Sequence, residues 1–340
     1  MATIAAGSAE HERMLSMITG FWVSQTVAAV ADLSIAEHLE GGPLSAEEIA
    51  SREDSDPGHT FRLMRACASL GLLTYRPGDG KFVGTALLGT LRGGSVNSLR
   101  EMALVQTSPG HWLPWGKFSA AVREGRAQTH ATHGVDIFSY FSQNPDEAAL
   151  FSSAMTNLSS PVIREAVLVI DTGGVDTVVD VGGANGAFVL ELMDRIPHLR
   201  GAVFDLPHVV PGAADEARRR NLSDRFCVVA GDFFESVPAA DMYLLKYILH
   251  DWDDDACIKI LENCRRAMPP GARIIVLEML MAEIGEPGIG ALMDMNMLAM
   301  LTGRERGLGD FDGLLEAAGL RRTNLTAIKP PYHVIEAVAK

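Results

Sequence analysis

VVDVGGANGAF, residues 178–188, is the stretch on which the reading of the fold turns. A short β-branched run leads into a glycine-rich turn, and an apolar helical pattern follows from about Ala187. Strand, glycine turn and helix in that order let backbone approach a ligand closely and aim helix N-terminal amides at it. Such units belong to open α/β sheets, which bind ligands just beyond the carboxyl ends of their strands. Asp205 in FDLPH, followed by Leu206, lies about 20 residues further on, where an acidic residue holds ribose hydroxyls. The glycines fall at 182, 183 and 186 and do not satisfy G-x-G-x-x-G, which weakens a dinucleotide reading.

Two later segments extend the same sheet edge. GDFFE places Asp232 beside Phe233 at the end of a third strand, a carboxylate and an aromatic suited to an adenine ring. LLKYILHDWDDD, residues 244–255, places His250 just after an apolar strand that ends near Lys246. Histidine has the ordinary pKa range for a general base, and a phenol with a pKa of about 10 needs one at neutral pH. An imidazole base also needs an orienting acceptor on its other nitrogen. Glu278, which ends the apolar strand RIIVLE, and Glu305, in the loop TGRERG, are the candidates. Asp251, Asp253, Asp254 and Asp255 read as a helix cap with an acidic first turn rather than as a metal site.

Taken in order, these segments resemble the small-molecule O-methyltransferases that use S-adenosylmethionine, a family with plant caffeic acid and hydroxyindole members and bacterial polyketide and phenazine tailoring members. The resemblance runs through most of the chain. It implies a cofactor site in which Gly182 belongs to the loop, Asp205 meets the ribose with Leu206 also on the cofactor, and Asp232 and Phe233 meet the adenine. Lys246 would contact the methionine portion of the cofactor, and Ser159 would lie near its carboxylate. It further implies His250 as catalytic base flanked by Glu278 and Glu305, Met155 and Met297 in the acceptor pocket, Asp251 facing the acceptor, and no metal. This chain departs from the family at Ala184, often a third glycine, and at Gly307, commonly threonine.

With 340 residues the chain exceeds what one core usually supports, and two domains are expected, residues 1–100 and 101–340. The first reads as helix, turn, helix and hairpin: LSAEEIASRE capped by Ser45, a helix through Phe61, Met64, Cys67 and Leu70, and two strands about Pro77-Gly78-Asp79-Gly80. That is a winged-helix pattern, whose alternative use is DNA binding in a ligand-responsive regulator. Its eight Lys and Arg against eleven Asp and Glu, within a formal net charge of −14, argue against nucleic acid. In the resembling family the same pattern serves homodimerisation through interlocked N-terminal helices. The wide apolar stripe through Met14, Met17, Ile18, Phe21, Val27, Val30 and Leu33 suits that use.

Residues 101–165 read as a helical connector rich in aromatics, Trp112 among them, that fits the wall of a pocket for a flat aromatic substrate. The α/β part follows, with strands expected near 177–181, 201–205, 226–230, 241–246 and 273–278. A closing pair near 321–328 and 332–338, joined tightly, must be antiparallel. The fold expected is a doubly wound, Rossmann-like methyltransferase sheet with a terminal antiparallel hairpin. Four scattered cysteines, the lack of a basic and apolar leader, and the lack of any apolar run of about 20 residues point to a cytoplasmic protein without a membrane span. Other chemistry on the same fold, hydroxylation or N-methylation, is disfavoured by His250 standing with both glutamates.

Overall fold

In the computed structural model, which describes residues 2–95 and 97–340, the chain divides into two compact units. One is Met1–Trp112 with Ala149–Leu158, the other Leu113–Ala148 with Ser159–Lys340. The boundary expected at residue 100 therefore falls inside the first unit, and the helical connector 101–165 is shared between the two.

In the first unit the winged-helix pattern forms as its caps dictate. Ser45 and Glu48 build a reciprocal capping box at the start of the helix Ala46–Arg52, and Asp56 caps Pro57–Ser69 by accepting from the His59 amide. Strands β1 (Leu73–Arg76) and β2 (Lys81–Gly84) pair antiparallel, and Leu44 adds an antiparallel bridge to Phe82. Val30, Ile35, Ile49, Met64, Cys67 and Phe82 fill the core beneath them. Helices Ala2–Ile18 and Gly20–Asp32 precede this core. Along them Met14, Met17, Ile18, Phe21 and Trp22 stand 52–63% exposed, so the N-terminal part of the apolar stripe is left uncovered by its own unit, whereas Val30 is buried in the core with Val27 and Leu33 packed against it. No single helix among the described residues is long and apolar enough to cross a membrane.

The second unit is built on seven strands: β3 (Thr177–Val181), β4 (Arg200–Asp205), β5 (Phe226–Ala230), β6 (Met242–Lys246), β7 (Arg273–Met279), β8 (Leu320–Ala327) and β9 (Tyr332–Ala339). Their order is β5-β4-β3-β6-β7-β9-β8. The first five are parallel, and β9 runs antiparallel to both β7 and β8. The expected edges of these strands hold to within one residue. Strand order reverses between β3 and β6, so the crevice beyond their carboxyl ends is the topological switch point where such sheets bind ligands.

Apolar runs such as MYLLK and RIIVLE are buried on both faces, as parallel strands covered by helices must be. On one face helices Asp254–Ala267 and Leu308–Ala317 bring Cys257, Ile260, Leu261, Phe311 and Leu315 onto Tyr243, Leu245 and Val276. On the other, the helix Ala187–Arg195 and the end of Pro145–Val169 pack Val162, Phe188, Leu192 and Met193 against Val178, Leu244 and Ile275.

Gly201 shows how tight this second face is. A Cβ there would lie 2.6 Å from Val189 Cγ2 and overlap the Met193 sulfur. Gly201→Ala should therefore destabilise the protein by about 1–3 kcal/mol through overpacking, read as a lower denaturation midpoint at unchanged slope. An unchanged midpoint would mean that this helix can move off the sheet at no cost.

Candidate active site

The loop after β3 is shaped by close approach. Gly182 and Gly186 have φ of +68° and +73°, and Ala184 takes a left-handed φ of +48°. A Cβ on Gly182 would meet Ile248 Cδ1 at 2.5 Å and Phe233 Cε1 at 3.5 Å, and one on Gly183 would meet Asp180 Cγ at 2.5 Å. The glycines thus let the loop lie against the ends of β3 and β6 and the Phe233 ring, which itself packs edge-on to Phe234 and Trp252.

Asp205, at the end of β4, is fixed by two backbone amides, Leu206 N to Oδ1 at 2.7 Å and Ala184 N to Oδ2 at 2.9 Å. Each oxygen keeps further acceptor capacity, the arrangement a vicinal diol needs. Burial, set against those amides, holds this carboxyl above its ordinary range. Asp232 Oδ1 accepts from the Phe234 amide at 2.8 Å and so shapes the turn after β5. These close-lying glycines and anchored carboxylates fit an adenosyl group.

Sequence reading missed Asp180. It sits 1% exposed within β3, accepts from Val189 N at 3.2 Å through Oδ2, and its Oδ1 has no hydrogen-bond partner among the described residues. Burial raises it to about 7, against the pull of Lys246. Burial in turn lowers Lys246, whose ammonium lies 4.6 Å over the Tyr247 ring among Asp180, Glu278 and Asp251. The available signal was a charged residue interrupting the apolar strand VVDV.

His250 lies on the 3₁₀ turn Leu249–Asp251 just beyond β6. Its Nδ1 donates to Glu305 Oε1 at 2.9 Å, since a carboxylate can only accept, which leaves Nε2 for an acceptor. Glu278 Oε2 is 3.9 Å from Nδ1, and Asp251 Oδ1 is 3.4 Å from Nε2. The two glutamates therefore act differently. Fully buried Glu278 fixes the turn, accepting from Ile248 N at 3.1 Å and Leu249 N at 3.0 Å, whereas Glu305 makes the direct bond.

Burial alone would depress the imidazole; the charges of Glu278 and Asp251 and the hydrogen bond donated to Glu305 outweigh it and raise His250 to about 10. Burial raises Glu278 to about 7 and Asp251 to about 6. The protons are shared by the cluster rather than owned by one group. The rest of the acidic run is structural: Asp253 caps the helix Asp254–Ala267 through Ala256 N, and Asp254 pairs with Arg304 and Arg306.

The remaining candidates divide between the units. Met297 is buried in the second unit, where Asn296 accepts from Trp115 Nε1 at 3.0 Å and Phe138 stacks on Trp252 at 5.6 Å. Ser159, in the same unit, is buried on the helix Pro145–Val169, which the two units share. Trp112 and Met155, both partly buried, belong to the first unit.

Residues 115–321 match the family model of the O-methyltransferase domain, and residues 15–87 that of the O-methyltransferase dimerisation domain. The chain is 32% identical to phenazine O-methyltransferase PhzM of Lysobacter antibioticus, over 95% of each chain. It is 31% identical to the mitomycin biosynthesis 6-O-methyltransferase of Streptomyces lavendulae, over 98% of this chain and 95% of that one. The crystal structure of human N-acetylserotonin methyltransferase in complex with SAM superposes with a TM-score of 0.90 at 30% identity, covering 97% of both chains.

Glu305→Gln keeps an acceptor for Nδ1 but removes a negative charge, so the His250 titration should move down from about 10 toward its ordinary 6.5. Imidazole NMR across pH measures it directly. A titration that stays put would assign the elevation to Glu278 and Asp251 alone.

Proposed function

The chain belongs to the S-adenosylmethionine-dependent O-methyltransferases, and from that membership we propose that it methylates a hydroxyl of an aromatic small molecule, with His250 as general base. The observation that carries the assignment of the base is the 2.9 Å bond between His250 Nδ1 and Glu305, which leaves Nε2 free of that partner and beside Asp251. When bound, the cofactor supplies an electrophilic methyl group on a sulfonium whose thioether leaves neutral. The protein's task is then to hold the acceptor and take its proton.

His250 Nε2 accepts the hydroxyl proton, and Glu305 and Glu278 stabilise the imidazolium that results. The same carboxylates hold the imidazole protonated at neutral pH, and a cation brought beside them favours its neutral form. Asp205 holds the ribose, Gly182 and Leu206 border it, and Asp232 and Phe233 hold the adenine. Lys246 and Ser159 meet the amino-acid end. Met297 and Asp251 contact the acceptor. Relatives named as a phenazine O-methyltransferase and as a 6-O-methyltransferase of mitomycin biosynthesis support an aromatic natural product as the acceptor class.

The match to the dimerisation-domain model supports a homodimer, and we place its interface on the uncovered apolar helices through Met14, Ile18 and Trp22. Cys67, Cys227, Cys257 and Cys264, all free thiols, fit the cytoplasm.

Asp205→Ala should weaken cofactor binding by about 1.5–3 kcal/mol for each charged hydrogen bond lost; calorimetry showing unchanged affinity would remove Asp205 from the ribose site. His250→Ala should bind cofactor as the wild type does while turnover falls by roughly 100-fold or more. Its loss should shrink at high pH and with acceptors of lower pKa, because the acceptor then ionises unaided. Wild-type turnover in this variant at neutral pH would make His250 structural.

A further inference from the structure

Arg306 directly follows Glu305, and its guanidinium is 0% exposed. A buried guanidinium is tolerable only when its donors are paired. Nη1 donates to Leu249 O at 2.6 Å and Nη2 to Trp252 O at 2.8 Å, while Nε and Nη2 share Asp254 Oδ1 at 3.0 and 2.7 Å. Leu249 and Trp252 bracket His250 and Asp251, so one planar fork grips both ends of the turn that carries the base.

The backbones beside it are in contact as well. A Cβ on Gly303 would overlap His250 O, Asp251 C and Trp252 N, so only glycine lets the loop 301–306 lie on that turn. On its other side the loop is held by Glu305 N donating to Asp294 Oδ1 at 2.9 Å and by Arg306 O accepting from Met281 N at 3.0 Å.

We propose that Arg306 is a positioning residue, which locks the His250 turn to the Glu305 loop and thereby sets the His250–Glu305 hydrogen bond. The proposal deepens the assignment of His250 as base and rests on it. Arginine is required because a lysine keeps the charge but cannot reach two carbonyls and a carboxylate from one rigid plane. Misplacement of a reacting group by about 1 Å costs on the order of 100-fold in rate, so a loosened turn should be visible in turnover before it is visible in folding.

The test compares Arg306→Lys and Asp254→Asn with the wild type by thermal midpoint, calorimetric cofactor affinity, kcat and KM, and NMR titration of His250. Arg306→Lys should bind cofactor normally, lose about tenfold or more in kcat, and show a lower His250 titration because Glu305 no longer sits against Nδ1. Asp254→Asn, which loosens the fork from a half-exposed anchor, should move both readouts the same way by less. A folded Arg306→Lys with wild-type kcat and His250 titration would overturn the proposal. So would a parallel fall in cofactor affinity and kcat, which marks general loss of structure. If Arg306→Lys does not fold, Asp254→Asn decides by the same readouts. Failure of His250 as base shows separately, as wild-type turnover in His250→Ala, whereas the titration reports positioning whatever the role of the imidazole.

Discussion

Three carboxylates and one imidazole share a buried site beyond β6 and β7, and keeping that cluster out of water sets the terms for what surrounds it. Ionised groups lose several kcal/mol each on burial unless they are paired and hydrogen-bonded. Glu278 answers this with two backbone amides, Glu305 with the His250 ring, and Asp251 with proximity to Nε2. Like charges at such distances cannot all ionise, so burial and mutual repulsion push Glu278 and Asp251 up while their joint charge pushes His250 up. A site tuned in this way retains protons that exposed residues of the same type would exchange independently.

The cofactor side of the switch point follows the same physics with backbone in place of side chains. Asp205 is held by the amides of Ala184 and Leu206, and Asp180 by that of Val189 at the start of a helix. Carboxylates at a helix N-terminus are favoured by the unpaired amides and the helix dipole. Lys246 lies between the two halves of the site, attracted by Asp180 on one side and by Glu278 and Asp251 on the other.

The five parallel strands were legible because each apolar run was short and ended at a charge or a glycine, and the closing hairpin because its two strands are tightly joined: β3 to β9 lie within one residue of their expected edges. The candidate cluster was legible for the same reason, since His250 and Glu278 both end such runs. What the sequence concealed is directional. Nothing in RIIVLE or TGRERG tells which glutamate meets Nδ1, because that depends on how the turn after β6 folds back on β7. Asp180 was hidden inside a strand that reads as apolar. Arg306 was hidden beside Glu305 in a loop with no apolar pattern to mark it, yet its guanidinium is fully buried. Residues that meet a ligand leave local marks, whereas residues that hold those residues in place act through contacts more than 50 positions apart.

That turn depends on one backbone choice. Extended chain beyond Lys246 would carry His250 about 13 Å further along the strand direction, at about 3.3 Å per residue, away from Glu278. Tyr247 instead takes a left-handed φ of +55°, uncommon for a bulky side chain. The strand breaks there, and the Ile248 and Leu249 amides turn onto Glu278. Ala184 makes a similar break at the end of β3, at a φ of +48°. Both departures from ordinary backbone thus lie at the two strand ends that flank the switch point. Such conformations persist only where surrounding contacts over-determine them, and here the contacts are the hydrogen bonds that assemble the site.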